Sequence, residues 1–499
     1  MFGRRAAARE RRIAAAEEAF SRPVQEQLGN GEEADYPFIA NYGKALPHGE
    51  DGVVLPEGYR GLLRALSTRR AEDFERIPRG SGENTVRLTN PQAGLSFDLE
   101  GPDAQALAMP PAPRIDSAQN SAEMVELYWM ALLRDVPFAN YDSDPMVMRA
   151  VNELSDMMDY RGPRKNGRVT PEVLFRGGVP GALRGPYISQ FLLRDIPFGT
   201  LPLPQLHDTV RVNQEYLTDW HAWLDVQNGV KQPPQDRNPN ERRYLHTARD
   251  LAHYVHYDFL YQAHLGALLI LLGMKAEADV GNPYENSRNQ AGFATFGPPH
   301  IQSLLAEVAT RAAKAVWYSK WFVHRRLRPE EFGGRVHAHV SGIREFPMIQ
   351  SEVLGSEALK TSFDRYGSYL LPQAFPEGCP THPAYGSGHA TVAGACVTVL
   401  KAWFDESFPL PNPVVADSSG TKLVPYKGPA LLIGGELNKL AANIALGRSM
   451  AAVHWRTDFT ASVKLGEAIA IDMLREQKAV AHEDVSFTLS RFDGMSITI

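Results

Sequence analysis

The chain runs to 499 residues, too long for most single hydrophobic cores, so two or three domains or one large embellished domain are expected. Hydrophobic content of 43% and charged content of 22% are those of an ordinary globular protein, and a net charge of −6 argues against a binder of nucleic acid or of anionic membrane. No window reaches the ~20 apolar residues of a membrane span, and the two cysteines, Cys379 and Cys396, make neither a disulfide framework nor a zinc pattern.

In chain order, residues 1–35 read as a polar N-terminal helix or arm, 36–240 as an N-terminal helical half and 241–499 as a C-terminal helical bundle. Arg4, Arg5, Arg9, Arg11 and Arg12 alternate with alanines and predict a solvated helix. No apolar stretch of a secretory signal follows them, so a cytoplasmic location is expected. Residues 30–115, rich in Gly and Pro, read as a wrapping arm with one strand at 94–99. Asn120 and Glu123 have capping-box spacing, which opens a helix running to the stop at Pro137. Helices are expected at 145–160 and around Trp220 and Trp223. The polar stretch 227–244 is the candidate boundary loop. After it, 247–273 predicts the longest helix, carrying Asp250, His253, His256 and Asp258, with the apolar run 265–272 buried inside it. Further helices are expected at 301–327, 390–404, 435–447 and 456–478, long enough for a bundle.

Three stretches carry chemistry. Residues 381–390 read Thr-His-Pro-Ala-Tyr-Gly-Ser-Gly-His-Ala. A glycine-rich turn at a helix start aims unpaired N–H groups at one point, which favours an anion there. Ser387 adds a hydroxyl and His389 a proton-exchanging group. Such turns are also plain loop chemistry, so the neighbours decide. Lys320, His324 and Arg328 stand at i, i+4 and i+8 and share a face if their helix persists to Pro329. Their surroundings are rich in Trp and Phe, and enclosed positive charge needs an anion. Arg448 and His454 lie at a helix junction, with Asp458 one turn later, where a carboxylate can orient an imidazole. Together these groups suit a highly charged oxyanion, gripped by arginine forks and backbone amides.

The pattern Lys320–seven residues–Arg328-Pro329, then Ser387-Gly388-His389, then Arg448–five residues–His454 resembles the vanadium-dependent haloperoxidases. It also resembles the superfamily they share with phosphatidic acid phosphatases and bacterial acid phosphatases. The resemblance extends over most of the chain from about residue 35, including 41–48, 123–138, 250–272, 312–334, 375–403 and 435–454. The seven-residue spacer is like that of algal bromoperoxidases and their bacterial relatives. The fold implied is all-α: two four-helix bundles wrapped by long loops, with minor short β-strands. The cofactor implied is vanadate, with neither heme nor flavin. His454 resembles the histidine that bonds vanadium, and Lys320, Arg328, Arg448, Ser387 and Gly388 the clamps on its oxygens. His389 resembles the acid–base histidine, His382 a second active-site histidine, and Trp317 an aromatic that lines the pocket. The implied reaction takes a proton from hydrogen peroxide at His389, polarises the activated peroxide with Lys320 and oxidises bromide or chloride. A small organic nucleophile is then halogenated. A homodimer or larger homo-oligomer is implied, with no nucleic-acid partner.

Two positions depart from the family pattern. The usual proline before Ser-Gly-His is Gly386, which is expected to loosen the turn. Ser319, before Lys320, replaces an arginine of red-algal-type bromoperoxidases and is expected to alter the halide pocket. Two other activities suit the same residues: a phosphoester hydrolase with His454 as nucleophile, and a vanadate-free isomerase or cyclase. Asp250 and Asp258 are both candidates to pair with Arg448 or His389.

Overall fold

The structure, a computed structural model, describes residues 2–499. The chain is mostly helical, and its strands form four short two-stranded antiparallel ladders among the described residues. This is the expected all-α fold with minor strands. The Gly388–Trp403 helix is the axis of the C-terminal bundle. Its residues are buried almost throughout, because Arg456–Val480, Pro298–Tyr318 and Ile433–Met450 surround it. It crosses Arg456–Val480 with backbones in contact. A Cβ on Gly394 would stand 2.7 Å from Val463 Cα, and one on Gly466 would stand 2.6 Å from the Ala395 nitrogen. Only glycine fits at these two points. Ala118–Leu132 centres the second group, against Pro145–Asp156, Glu357–Tyr366 and one face of Ile433–Met450.

Several elements differ from the sequence expectation, each for a local reason. The expected helix over 247–273 is two helices, Ala248–Tyr257 and Gln262–Gly273. Asp258 ends the first in extended conformation, because its carboxylate is taken up by a distant histidine. The longest helix is instead Arg456–Val480, with 25 residues. The helix after residue 115 starts earlier than expected: Ser117 caps it by accepting from the Asn120 amide, and the Asn120 side chain serves Arg326. Residues 93–95 form a 3₁₀ turn in place of the expected strand. Within the expected loop 227–244, Arg237–Arg243 is a strand paired with His207–Val210. The wrapping segment has a core of its own. Its helix Pro56–Thr68 buries Tyr59, Leu62 and Ala65 against Tyr42, Leu46 and Trp321.

The helix Pro298–Tyr318 does not run to residue 327. It widens into a π-helical turn, Ser319–His324, and Arg325 at φ 42° stops it. Arg328 then sits at the N-terminus of the next helix, Pro329–Val340, with Pro329 in its first turn. Lys320, His324 and Arg328 therefore share no continuous helical face. The irregular backbone turns Lys320 and Arg328 inward, and His324 packs edge-on against Tyr385, 4.7 Å between ring centroids, outside the cavity lining.

Candidate active site

A cavity of about 250 Å³ opens between helix ends of the C-terminal bundle and the loop 375–382. His382, Gly388, His389, Arg448 and His454 line it, so residues of two of the three chemical stretches meet at its wall. Lys320, Arg328 and Ser387 lie just beneath, each 1% exposed or less.

His454 occupies the junction between Ile433–Met450 and Arg456–Val480. Its Nδ1 lies 2.7 Å from Asp458 Oδ2, and Arg328 Nη1 lies 2.9 Å from its Nε2. A guanidinium can only donate, so Nε2 carries the lone pair and Nδ1 the proton. Burial, then Arg328 and Lys320, push the imidazole pKa well below the ordinary histidine value, which keeps it neutral. Asp458 is held in turn. Its Oδ1 accepts from Arg326 at 3.2 Å, and its Oδ2 also accepts from the Trp455 amide at 3.0 Å.

Lys320 Nζ donates to the Pro383 and Ala384 carbonyls at 2.8 and 3.1 Å. Arg328 donates to the His382 and Val453 carbonyls at 2.9 and 2.8 Å. Arg448 donates to the Val255 carbonyl at 2.8 Å, while its buried Nε has no partner. None of these three cations forms an ion pair with a carboxylate among the described residues. Burial, then the Arg328 charge, lower the pKa of Lys320 well below that of an ordinary lysine and that of Arg448 to about 10. Two guanidiniums and a lysine amine thus surround a neutral imidazole with no carboxylate in ion-pair contact among the described residues, an arrangement that an anion in the cavity would complement. No group of three or more His, Cys, Asp or Glu side chains placed to hold a metal ion is found among the described residues.

Geometry resolves which of the two candidate carboxylates meets His389. His389 Nε2 lies 2.9 Å from Asp258 Oδ1, and the Asp258 side chain is 2% exposed. Asp250 instead caps its own helix and pairs with His246 Nδ1 at 2.7 Å. His382 Nδ1 lies 2.9 Å from Arg328 Nη2, so it accepts, and its 3.3 Å approach to the Pro383 carbonyl is not a hydrogen bond. Burial, then Lys320 and Arg328, lower its pKa strongly. The Trp317 ring lies against it, 4.8 Å between centroids. Trp317 also stands 3.0 Å from where a Cβ on Gly388 would be, so any larger residue there would press on the indole. Ser319, expected in the halide pocket, is absent from the lining. It is fully buried, and its hydroxyl donates to the Ala315 carbonyl of its own helix.

Sequence reasoning missed several supports. Arg326 bridges Asp458 and Asn120 and lies over the Trp455 ring, 4.7 Å from its centroid. The run Arg325-Arg326-Leu327-Arg328 offered it, but nothing in the run says which arginine faces which way. Lys44 pairs with buried Glu330 at 2.9 Å and donates to the Glu377 and Cys379 carbonyls, fixing one wall of the cavity. At the rim, His256 stacks on Phe375 and pairs with Glu377 at 2.5 Å.

Residues 303–483 match the family described as the VCPO second helical-bundle domain. The vanadium-dependent bromoperoxidase of Corallina officinalis is 36% identical, over 98% of this chain and 97% of its own length. That of Ascophyllum nodosum is also 36% identical, over 95% of this chain and 88% of its own. The homohexameric structure of the second vanadate-dependent bromoperoxidase from Ascophyllum nodosum superposes with a TM-score of 0.94 at 31% identity, covering 99% of this chain and 90% of that one. With a similarity that spans nearly the whole chain in both sequence and fold, this protein belongs to the vanadium-dependent haloperoxidase family.

Proposed function

We propose that the chain is a vanadate-dependent haloperoxidase that oxidises bromide or chloride with hydrogen peroxide and so halogenates small organic nucleophiles. The observation that carries this reading is the set of three buried cations without a carboxylate partner around the neutral His454. Orthovanadate fits that set. His454 Nε2 offers its lone pair, Lys320, Arg328 and Arg448 balance the charge, and the Ser387 hydroxyl and Gly388 amide add donors. When bound, vanadate supplies the Lewis acid that activates peroxide.

The remaining work falls to the chain. Asp458 accepts the Nδ1 proton of His454 and fixes its orientation, as outer carboxylates do for metal-bound imidazoles. Asp258 accepts from His389 Nε2, which leaves the lone pair on Nδ1 to take a proton from incoming peroxide. Lys320, held by two carbonyls, would supply a hydrogen-bond donor and positive charge to the oxygens of the bound anion. His382, with Nδ1 turned to Arg328, keeps its proton on Nε2 as a donor near the halide. The aromatic wall of Trp317 and Phe375 limits water around that oxygen. A homo-oligomeric assembly belongs to the same proposal, because the superposed relative is homohexameric.

The test is peroxide-dependent bromination of monochlorodimedone by the apo-protein reconstituted with orthovanadate. Bromination that scales with vanadium content is expected. Bound vanadium without bromination overturns the reading, and phosphoester turnover without peroxide puts a phosphatase in its place.

A further inference from the structure

We propose that Ser462 is a positioning residue for the anion-binding turn, and that it works as one unit with Gly386; the proposal rests on the vanadate reading above. Ser462 lies one helical turn before Gly466, the point where Arg456–Val480 touches the backbone of Gly388–Trp403. That close crossing brings its hydroxyl under the start of the neighbouring helix. Ser462 is fully buried, and its Oγ accepts from the Ser387 amide at 2.8 Å. The Ser387 N–H is therefore held from the side of the helix, while the next residue, Gly388, lines the cavity.

Gly386 completes the unit. A Cβ there would overlap Ser462 Oγ and stand 2.7 Å from Met109 Cε and 2.9 Å from its sulfur. The space beside this residue is thus filled from outside, by Ser462 and by buried Met109 of the wrapping segment. Tyr385 adds a tie from the same side, with its hydroxyl donating to the Pro110 carbonyl at 2.8 Å. The turn is not loosened by having glycine where relatives of this family carry proline. Glycine leaves the room in which Ser462 reaches the Ser387 amide, and the brace sits on the neighbouring helix.

Two readouts test this on the full-length protein. Orthovanadate affinity is measured by equilibrium dialysis, with the ⁵¹V NMR signal of the bound anion. Hydrogen exchange of the peptide around Ser387 is followed in the apo-protein. Ser462→Ala removes the acceptor and should weaken vanadate binding about tenfold, shift the bound ⁵¹V signal and speed exchange at Ser387. Gly386→Ala should weaken binding at least as much. The double variant Ser462→Ala/Gly386→Ala should lose less than the product of the two single losses, since both act on one contact. If Gly386→Ala does not fold, the two readouts on Ser462→Ala decide alone. Unchanged affinity in Ser462→Ala overturns the proposal even if exchange rises, because the serine is then only structural; multiplicative losses in the double variant overturn the coupling. If the wild type binds no vanadate, the functional reading fails instead, and orthophosphate affinity with the same exchange measurement still judges the brace.

Discussion

Two histidines at the centre of this site, His454 and His389, each face one buried carboxylate. Asp458 and Asp258 set which nitrogen of His454 and His389 bears the lone pair, and they do so from different helix ends. Their removal should therefore have different signatures. Asp458→Asn should lower vanadium affinity about 10- to 100-fold, the range seen for such outer partners, checked by vanadium content after dialysis. Asp258→Asn should retain vanadium and lose turnover, checked by bromination at saturating orthovanadate. A third histidine has no such partner. His264 is fully buried, neither ring nitrogen has a hydrogen-bond partner, and burial lowers its pKa to about 4. Its folded pKa lies below the unfolded value near 6.5, so below pH 6.5 the unfolded chain binds the extra proton and folding loses stability as pH falls. His264→Leu should remove that penalty. Its stability advantage over wild type should grow by about 1.4 kcal/mol per pH unit between pH 6.5 and about 4, read from denaturant midpoints at several pH values.

The elements around the site are shaped by contacts that lie far apart in sequence. The Gly394–Gly466 crossing brings two helices to backbone contact, and Gly466→Ala would force a methyl group against the Thr391 carbonyl. Neither backbone can yield cheaply, so a loss of about 1–3 kcal/mol is expected, with weaker vanadate binding, checked by denaturant unfolding and dialysis. Such contacts also mark the limit of what the sequence discloses. Apolar period and helix punctuation were enough to locate the helices ending at Trp403 and Met450, and the spacing of Lys320, Arg328, Arg448 and His454 was enough to name the set. The split at Asp258 was not legible, because no Gly or Pro marks it: the break follows from the pull of His389, 131 residues away. The π-helical turn at Ser319–His324 is equally silent in sequence, yet from it Lys320 reaches the Pro383 and Ala384 carbonyls beneath the site while His324 packs on Tyr385. Gly386 could be read as a departure but not as a compensated one, since Ser462 and Met109 come from remote segments.

At the scale of the whole molecule, one continuous apolar core runs from Ala40 to Phe492 and includes helices of both groups. Anything that tightens the site is therefore linked to the stability of the folded chain. Orthovanadate at 100 times its Kd should raise unfolding stability by about 2.7 kcal/mol, seen as a higher Tm in vanadate titrations. Orthophosphate, with the same tetrahedral oxygens, should raise Tm as well and compete for the same cations. The three buried cations without a carboxylate partner thus have a consequence for supply. They select an oxyanion by charge and shape before any chemistry distinguishes vanadium from phosphorus. The share of chains loaded with vanadate should then follow the ratio of vanadate to phosphate around them, and a phosphate buffer should slow loading.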